Sequence, residues 1–366
     1  MPGKITIGER EVGQGQPVYI IAEVGSNHDS SLERAKELAR GAKDVGADAV
    51  KFQSFTAEGL LNPLRPDADG KWEDHPAYDV IAQLSLPAKW HYELKRYCDE
   101  LEIDFLSAPF DLGRADLLHM VGLPAFKIAS GDITYVQLLR KVASFGKPVI
   151  LSTGASYLEE VDEAVKVIMA EGNSQIALMH CVSLYPSKLE DANLKCITAM
   201  KKAWGVPVGL SDHSPGSLLA IAAVSLGATI IEKHLTFSRE LGGPDHSYAM
   251  ELDEFKSMVD DIRTLEKALG TGVKKPTEQE MGERVGARRS IYLRKDVAAG
   301  TVLTSDLFKV VRHAHGMEPR ELSSVIGKEA ARDLKRNMPL LRDDIIEPDK
   351  VGGVGKPVKE PDFAGG

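Results

Sequence analysis

Eight short runs of aliphatic and β-branched residues recur along the chain, and each is followed by a segment with helical spacing. They occupy residues 18–24 (VYIIAEV), 47–53 (ADAVKFQ), 103–108 (IDFLSA), 125–130 (AFKIAS), 148–153 (PVILST), 175–181 (QIALMHC), 206–211 (VPVGLS) and 229–234 (TIIEKH). Strands that alternate with helices pair in parallel, because a parallel pair needs a long crossover and a helix supplies it. Eight such units over about 250 residues fit a closed (β/α)8 TIM barrel. An open doubly wound sheet fits less well: no G-x-G-x-x-G opens the first helix and no GxxxxGK[ST] occurs. The last helical pattern, 252–269, stops at Gly270, so residues 1–270 read as the barrel domain.

The pattern then changes. Residues 271–289 are polar and glycine-rich and read as a linker. Residues 290–350 show short strand-like runs around glycine turns and read as a small β-rich domain. Residues 351–366 (VGGVGKPVKEPDFAGG) read as a disordered tail.

In a barrel of parallel strands the functional groups gather at the C-terminal strand ends. Here strand after strand turns polar at that end: Glu23, then Lys51 and Gln53, Ser107, Lys127 and Ser130, Ser152, His180 and Ser183, Ser211 and His213, and finally Glu232 and His234. Side chains alternate faces along a strand. Lys51 and Gln53 therefore share a face, as do Ser211 with His213 and Glu232 with His234, while Phe52 and Lys233 point away.

His213 and His234 end adjacent strands, about 4.8 Å apart. They are placed either to share one divalent cation or to bond to each other, and spacing does not decide between these. Lys51 and Lys127 are either neutralised by Glu23 and Glu232 or, with the surrounding serines, form a phosphate cradle; the hydroxyls favour the cradle. Asp245, in GGPDHSYAM, follows the eighth strand and is positioned over the mouth or out in solvent. His28 lies in a loop near the mouth. Cys181 reads as a small buried hydrophobe.

Formal net charge is −9, and the basic residues form no long run. Nucleic acid and anionic membrane are thus excluded as main partners, and any phosphate site must be a local cationic pocket. The three cysteines, Cys98, Cys181 and Cys196, form no CxxC pair. That argues against a disulfide framework and for a reducing, cytoplasmic location. No signal-peptide core and no run of about 18 apolar residues is present.

The motifs IAEVGSNH, GADAVKFQ, FLSAPFD, KIASGDI, PVILSTG, HCVSLYP, GLSDHSPG, IEKHLT and GGPDH run in order along the barrel. Together they resemble the sialic acid synthases, including the legionaminic and pseudaminic acid synthases. The segment ARRSIYLRKDVAAGTVLTSDL resembles the SAF, or antifreeze-like, domain that follows them. The resemblance implies condensation of phosphoenolpyruvate with the open-chain aldehyde of an N-acetylated amino sugar such as N-acetylmannosamine. The products are a nine-carbon 2-keto acid and phosphate.

It further implies a divalent cation, Mn2+ or Mg2+, on His213 and His234. Phosphoenolpyruvate is expected on Lys51, Lys127, Ser130, Ser152, Ser183 and Ser211, and the sugar or water on Glu23, Gln53, Tyr185, Glu232 and Asp245. Arg312 is expected to reach into a partner's site in a domain-swapped homodimer. Three positions depart from the family pattern: Ala108 replaces a threonine, Asp132 a glutamate in the substrate site, and RHAHG the commoner RPGxG. The lack of Phe-Glu after KIAS points to a sialic- or legionaminic-type acceptor over a pseudaminic one. Two other readings are a Schiff-base aldolase using Lys51 or Lys127 and a non-catalytic carbohydrate-binding protein.

Overall fold

The computed structural model describes residues 3–347. The expected tail, 351–366, lies outside the described residues. The chain divides into two units, the first ending at Thr271 and the second starting at Gly272.

The first unit is the expected barrel. Its strands are β1 (Tyr19–Gly25), β2 (Ala49–Ser54), β3 (Asp104–Pro109), β4 (Phe126–Ile128), β5 (Val149–Ser152), β6 (Ile176–Cys181), β7 (Val208–Asp212) and β8 (Ile230–Thr236). All their ladders are parallel, in the order β3-β2-β1-β8-β7-β6-β5-β4. β4 and β3 lie side by side and complete the ring without a ladder between them. The helices that follow the strands in turn are α1 (Leu32–Asp44), α2 (Ala88–Glu100), α3 (Leu112–Val121), α4 (Val136–Ser144), α5 (Leu158–Ala170), α6 (Lys195–Trp204), α7 (Leu218–Ser225) and α8 (Leu252–Leu269). α1 starts where Ser31 accepts a hydrogen bond from the Arg34 N–H, which satisfies one of the open donors of its first turn. The polar stretch between β2 and α2 folds into a small hairpin, Leu64–Pro66 with Trp72–Asp74, and a short helix, Tyr78–Leu84.

Strand parity divides the barrel into two cores. Outward residues such as Ile20, Val50, Phe52, Phe105 and Leu178 pack against the helices. Inward residues Tyr19, Ile21, Ala49, Leu106, Ala125, Ile150, Ala177, Met179 and Ile230 fill the interior. A hairpin of Lys4–Ile7 and Arg10–Gly13 closes its lower end with Ile5, Ile7 and Val12. Gly209 faces this plug: a methyl there would come within 2.6 Å of Met179 Sδ and collide with the Ile230 carbonyl. The interior is thus a packed floor, and polar groups begin only above it.

The second unit has its own core of Ile291, Leu293, Val297, Leu303, Leu307, Phe308, Val325 and Leu340. Its main ladder is antiparallel, β9 (Arg289–Leu293) with β10 (Phe308–Arg312), and β11 (Glu329–Ala330) pairs with β12 (Ile345–Ile346). The segment read as a linker carries a two-turn helix, α9 (Glu280–Ala287). Glu280 and Glu283 open that helix and Arg284 closes it, the charge order its dipole favours. It buries none of its residues, which is why its composition looks like that of a linker.

Candidate active site

Register carries the strand-end residues to common levels. Glu23 on β1 lies level with Lys51 on β2 and His234 on β8, and Ser211 on β7 with Glu232 on β8 and Cys181 on β6. Residues level on neighbouring parallel strands share a face, so these six point inward. They open onto a cavity of about 520 Å³ at the C-terminal mouth, also lined by Gln53, Lys127, Ser130, Ser152, Ser183, Tyr185, His213 and Asp245.

Not every expected residue arrives there. Asp132 ends the turn Ser130–Asp132 and is carried off the wall that Ser130 and Gly131 form. Its Oδ2 is buried without a hydrogen-bond partner, and burial lifts its pKa to about 6. Arg312, expected in a partner's site and not in this one, is exposed at the end of β10. Parity removes two others from the mouth. Ser107 is level with outward-facing Phe52, and Ala108 takes the inward place. His180 faces the helices, its Nε2–H donating to the Ala192 carbonyl at 2.7 Å, while Cys181 lines the cavity rather than acting only as packing. His28 is buried in its loop, where its Nδ1 accepts from the Ser30 N–H.

Four groups missed by sequence reasoning complete the site. Tyr248 lines the cavity and donates to Asp245 Oδ1 at 2.5 Å. Ser26 donates to Asp245 Oδ2 from both its N–H and its hydroxyl, at 2.9 and 2.8 Å. The Gly154 N–H donates to Ser130 Oγ at 2.9 Å, and a methyl on Gly154 would lie within 2.8 Å of that oxygen and collide with Ser183 Oγ. Phe110 supplies an apolar wall beside Ala108. A signal existed for Tyr248, three residues after Asp245, and for Gly154, just beyond Ser152. None existed for the approach of Ser26 to Asp245 between the loops that follow the neighbouring strands β1 and β8.

The cationic and acidic groups form one buried network. Lys51 Nζ lies 2.8 Å from Glu23 Oε2 and 3.6 Å from Glu232 Oε1. Lys127 Nζ donates to both Glu232 oxygens, at 3.0 and 2.9 Å. Gln53 donates to Glu23 Oε1 at 2.9 Å, and Ser211 to Glu232 Oε1 at 3.2 Å. The lysines are therefore neutralised by the two glutamates, and the serines stand around them.

Burial pushes the Glu23 pKa up, and Lys51 only partly offsets it. Burial acts on Glu232 too, but Lys127 and Lys51 outweigh it and hold its pKa at about 2. Burial opposes charge on Lys51, yet its two glutamates raise its pKa; on Lys127 burial wins over Glu232 and the pKa falls. The pKa values of the two carboxylates are thus driven apart, Glu23 upward by burial and Glu232 downward by its two lysines.

The imidazoles have the properties of metal ligands. His213 Nδ1 lies 3.0 Å from the Val182 carbonyl oxygen. A carbonyl only accepts, so Nδ1 carries the proton and Nε2 keeps its lone pair. His234 Nδ1 is buried with no hydrogen-bond partner. The ring centres are 5.5 Å apart, and burial lowers both pKa values to about 4, so both rings are neutral. Among the described residues no three His, Cys, Asp or Glu side chains form a ready ligand set. A cation here would take two nitrogens from the protein and its remaining ligands from oxygen, a set that suits Mn2+ and that Mg2+ accepts less readily. Tyr185 lies against His213 with ring centres 4.2 Å apart, and Tyr248 lies edge-on to His234 at 5.0 Å.

The family model described as the NeuB family matches residues 38–274, and that of the SAF domain matches residues 288–346. The chain belongs to the NeuB family. It is 38% identical to an N,N'-diacetyllegionaminic acid synthase of Legionella pneumophila, over 92% of this chain and 97% of that one. It is 36% identical to a pseudaminic acid synthase of Helicobacter pylori, over 90% and 98%. Among solved structures it resembles the N-acetylneuraminic acid synthetase of Leptospira borgpetersenii in complex with citrate, with a TM-score of 0.71 and 34% identity over 76% of this chain and 94% of that one. Its barrel and its SAF unit are therefore those of the NeuB family. No helix among the described residues is long and apolar enough to cross a membrane.

Proposed function

We propose that the protein condenses phosphoenolpyruvate with the open-chain aldehyde of an N-acetylated amino sugar, releasing phosphate and a nonulosonic acid. The observation that carries this is the convergence of Lys51, Lys127, His213 and His234 on one cavity, in a chain whose relatives are named as synthases of such acids. The acceptor proposed is of the N-acetylmannosamine or legionaminic type. A cytoplasmic setting suits such biosynthesis.

The residues divide the work as follows. Lys51 and Lys127, with Ser130, Ser152, Ser183 and Ser211, hold the phosphate and carboxylate of phosphoenolpyruvate. Its negative charge then shares the two ammonium groups with Glu23 and Glu232, which favours proton uptake on Glu23. Asp245 is fixed by Ser26 and Tyr248, and with Gln53 and Tyr185 it orients the sugar. The methylene carbon of phosphoenolpyruvate bonds to the aldehyde carbon as its double bond opens, and the aldehyde oxygen takes a proton from protonated Glu23. Water adds at C2 and returns a proton to Glu23. The C2–O bond to phosphate then breaks, the C2 hydroxyl proton leaves with the phosphate, and the 2-keto acid remains. A divalent cation, Mn2+ or Mg2+, on His213 and His234 would polarise the aldehyde oxygen. Alignment of two substrates in one cavity supplies much of the acceleration. Arg312 is proposed to reach the acceptor's acyl group in the site of a partner subunit, within a domain-swapped homodimer.

The test is phosphate release from phosphoenolpyruvate with a panel of N-acetylated hexosamines, with and without chelator. Release that needs both acceptor and cation supports the reading. Chelator-insensitive turnover with a borohydride-trapped lysine adduct would replace it with the Schiff-base mechanism.

A further inference from the structure

The second unit has a cavity of its own, of about 430 Å³, between α9 and the start of β9. Its lining includes three arginines: Arg284, Arg288 and Arg289. None of the three makes an ion pair among the described residues. The single carboxylate in the lining, Glu318, is paired with Arg320 at 2.6 Å. Arg289 donates to the Val310 carbonyl at 3.0 Å, which fixes its guanidinium near the strand pair. A fourth arginine, Arg312, stands directly opposite Arg289 across the β9–β10 ladder. Like charges placed opposite each other on a ladder are unfavourable. In a chain of net charge −9, such a concentration of unpaired cations calls for an anion.

We propose that this cavity is a second anion site, taking the phosphoryl group of a small phosphorylated molecule. Guanidinium forks match oxyanions in a plane. Three forks offer more donors than the two oxygens of one carboxylate accept, whereas the three terminal oxygens of a phosphate monoester can accept from all three. Met281, Val285 and Pro319 line the same cavity and give the organic part an apolar wall. The site is built entirely from the second unit and uses none of the barrel residues.

The test is calorimetric titration of the full chain with inorganic phosphate. Two sites per chain are expected, one removed by Lys51→Ala and the other by Arg284→Ala/Arg288→Ala. The double variant should weaken the second site by about tenfold or more, the size expected for lost charge-assisted bonds. Arg288→Lys keeps the charge but loses the fork, so it should weaken binding less, and its melting temperature checks the fold. Raised salt should weaken the site. A single phosphate site, lost with Lys51→Ala and unmoved by the arginine variants, overturns the proposal. A single site lost only with the arginine variants upholds it and overturns the phosphate cradle of the barrel instead.

Discussion

Removing Lys127 probes the buried charge network most sharply. Its Nζ contacts both oxygens of Glu232 at 3.0 and 2.9 Å, and the side chains of Lys127 and Glu232 are 4% and 6% exposed. In Lys127→Met two buried carboxylates share one ammonium, that of Lys51, which sits 3.6 Å from Glu232. Breaking a buried pair by deleting one partner costs about 3–5 kcal/mol. Lys51 and the Ser211 hydroxyl compensate in part, so a loss of about 3 kcal/mol, at the lower end, is expected. Adding Glu232→Gln removes the stranded charge and should recover most of that stability, while phosphate release stays abolished.

Urea unfolding followed by tryptophan fluorescence reads this directly, because Trp72, Trp90 and Trp204 all lie in the barrel unit. The Glu232 pKa of about 2 lies below its ordinary 4.5. Its contribution is therefore fully present above pH 4.5 and is lost as pH falls towards 2. The gap between wild type and Lys127→Met should close over that window. A loss under 1 kcal/mol at pH 7 (about a fivefold change in equilibrium constant), or a double variant no more stable than the single one, would refute the coupling.

Gly154→Ala drives a methyl into Ser130 and Ser183, so the KM for phosphoenolpyruvate should rise at least about tenfold, with a stability loss of about 1–3 kcal/mol from overpacking; unchanged steady-state kinetics would separate this glycine from the cradle. Tyr248→Phe removes the hydrogen bond to Asp245 Oδ1 and should lower kcat/KM for the sugar by about tenfold, the worth of one bond to a charged group, leaving the KM for phosphoenolpyruvate in place. Arg312→Ala should raise the acceptor's KM without lowering the melting temperature, and kinetics identical to wild type would end the swapped-arginine proposal.

The barrel was legible because its signal is periodic. Strands β1 to β8 are short apolar runs separated by amphipathic helices, and the expected and observed strands coincide within about two residues. The mouth was legible where parity was followed: Lys51, Gln53, Glu232 and His234 all point inward. Position at a strand end is not enough by itself: Ser107 and His180 are each one residue out of phase with inward neighbours Ala108 and Cys181, and His180 is packed among the helices.

Other features depend on packing that a linear pattern does not encode. Lys233 points away from the mouth as parity requires, yet it is buried, donating to Asp212 Oδ2 at 2.7 Å and the Ser214 carbonyl at 2.5 Å. Tyr248 and Ser26 meet at Asp245 from loops that follow different strands. α9 carries only one apolar pair at helical spacing, Met281 and Val285, each followed by a glycine, which is too little to read as a helix in a polar, glycine-rich segment. The pairing of the lysines with Glu23 and Glu232 was foreseen as one of two alternatives, and only the three-dimensional arrangement shows ion pairs and serine ring together.

The central claim is that two ammonium groups grip phosphoenolpyruvate beside a cation held by two imidazoles. Calorimetry of phosphoenolpyruvate binding to wild type, Lys51→Ala and His213→Ala, each with and without Mn2+, tests it most directly. The account predicts binding to wild type that strengthens with Mn2+, loss of binding in Lys51→Ala, and in His213→Ala binding that no longer responds to the metal. Phosphoenolpyruvate affinity unchanged in Lys51→Ala, or an undiminished Mn2+ response in His213→Ala, would contradict it.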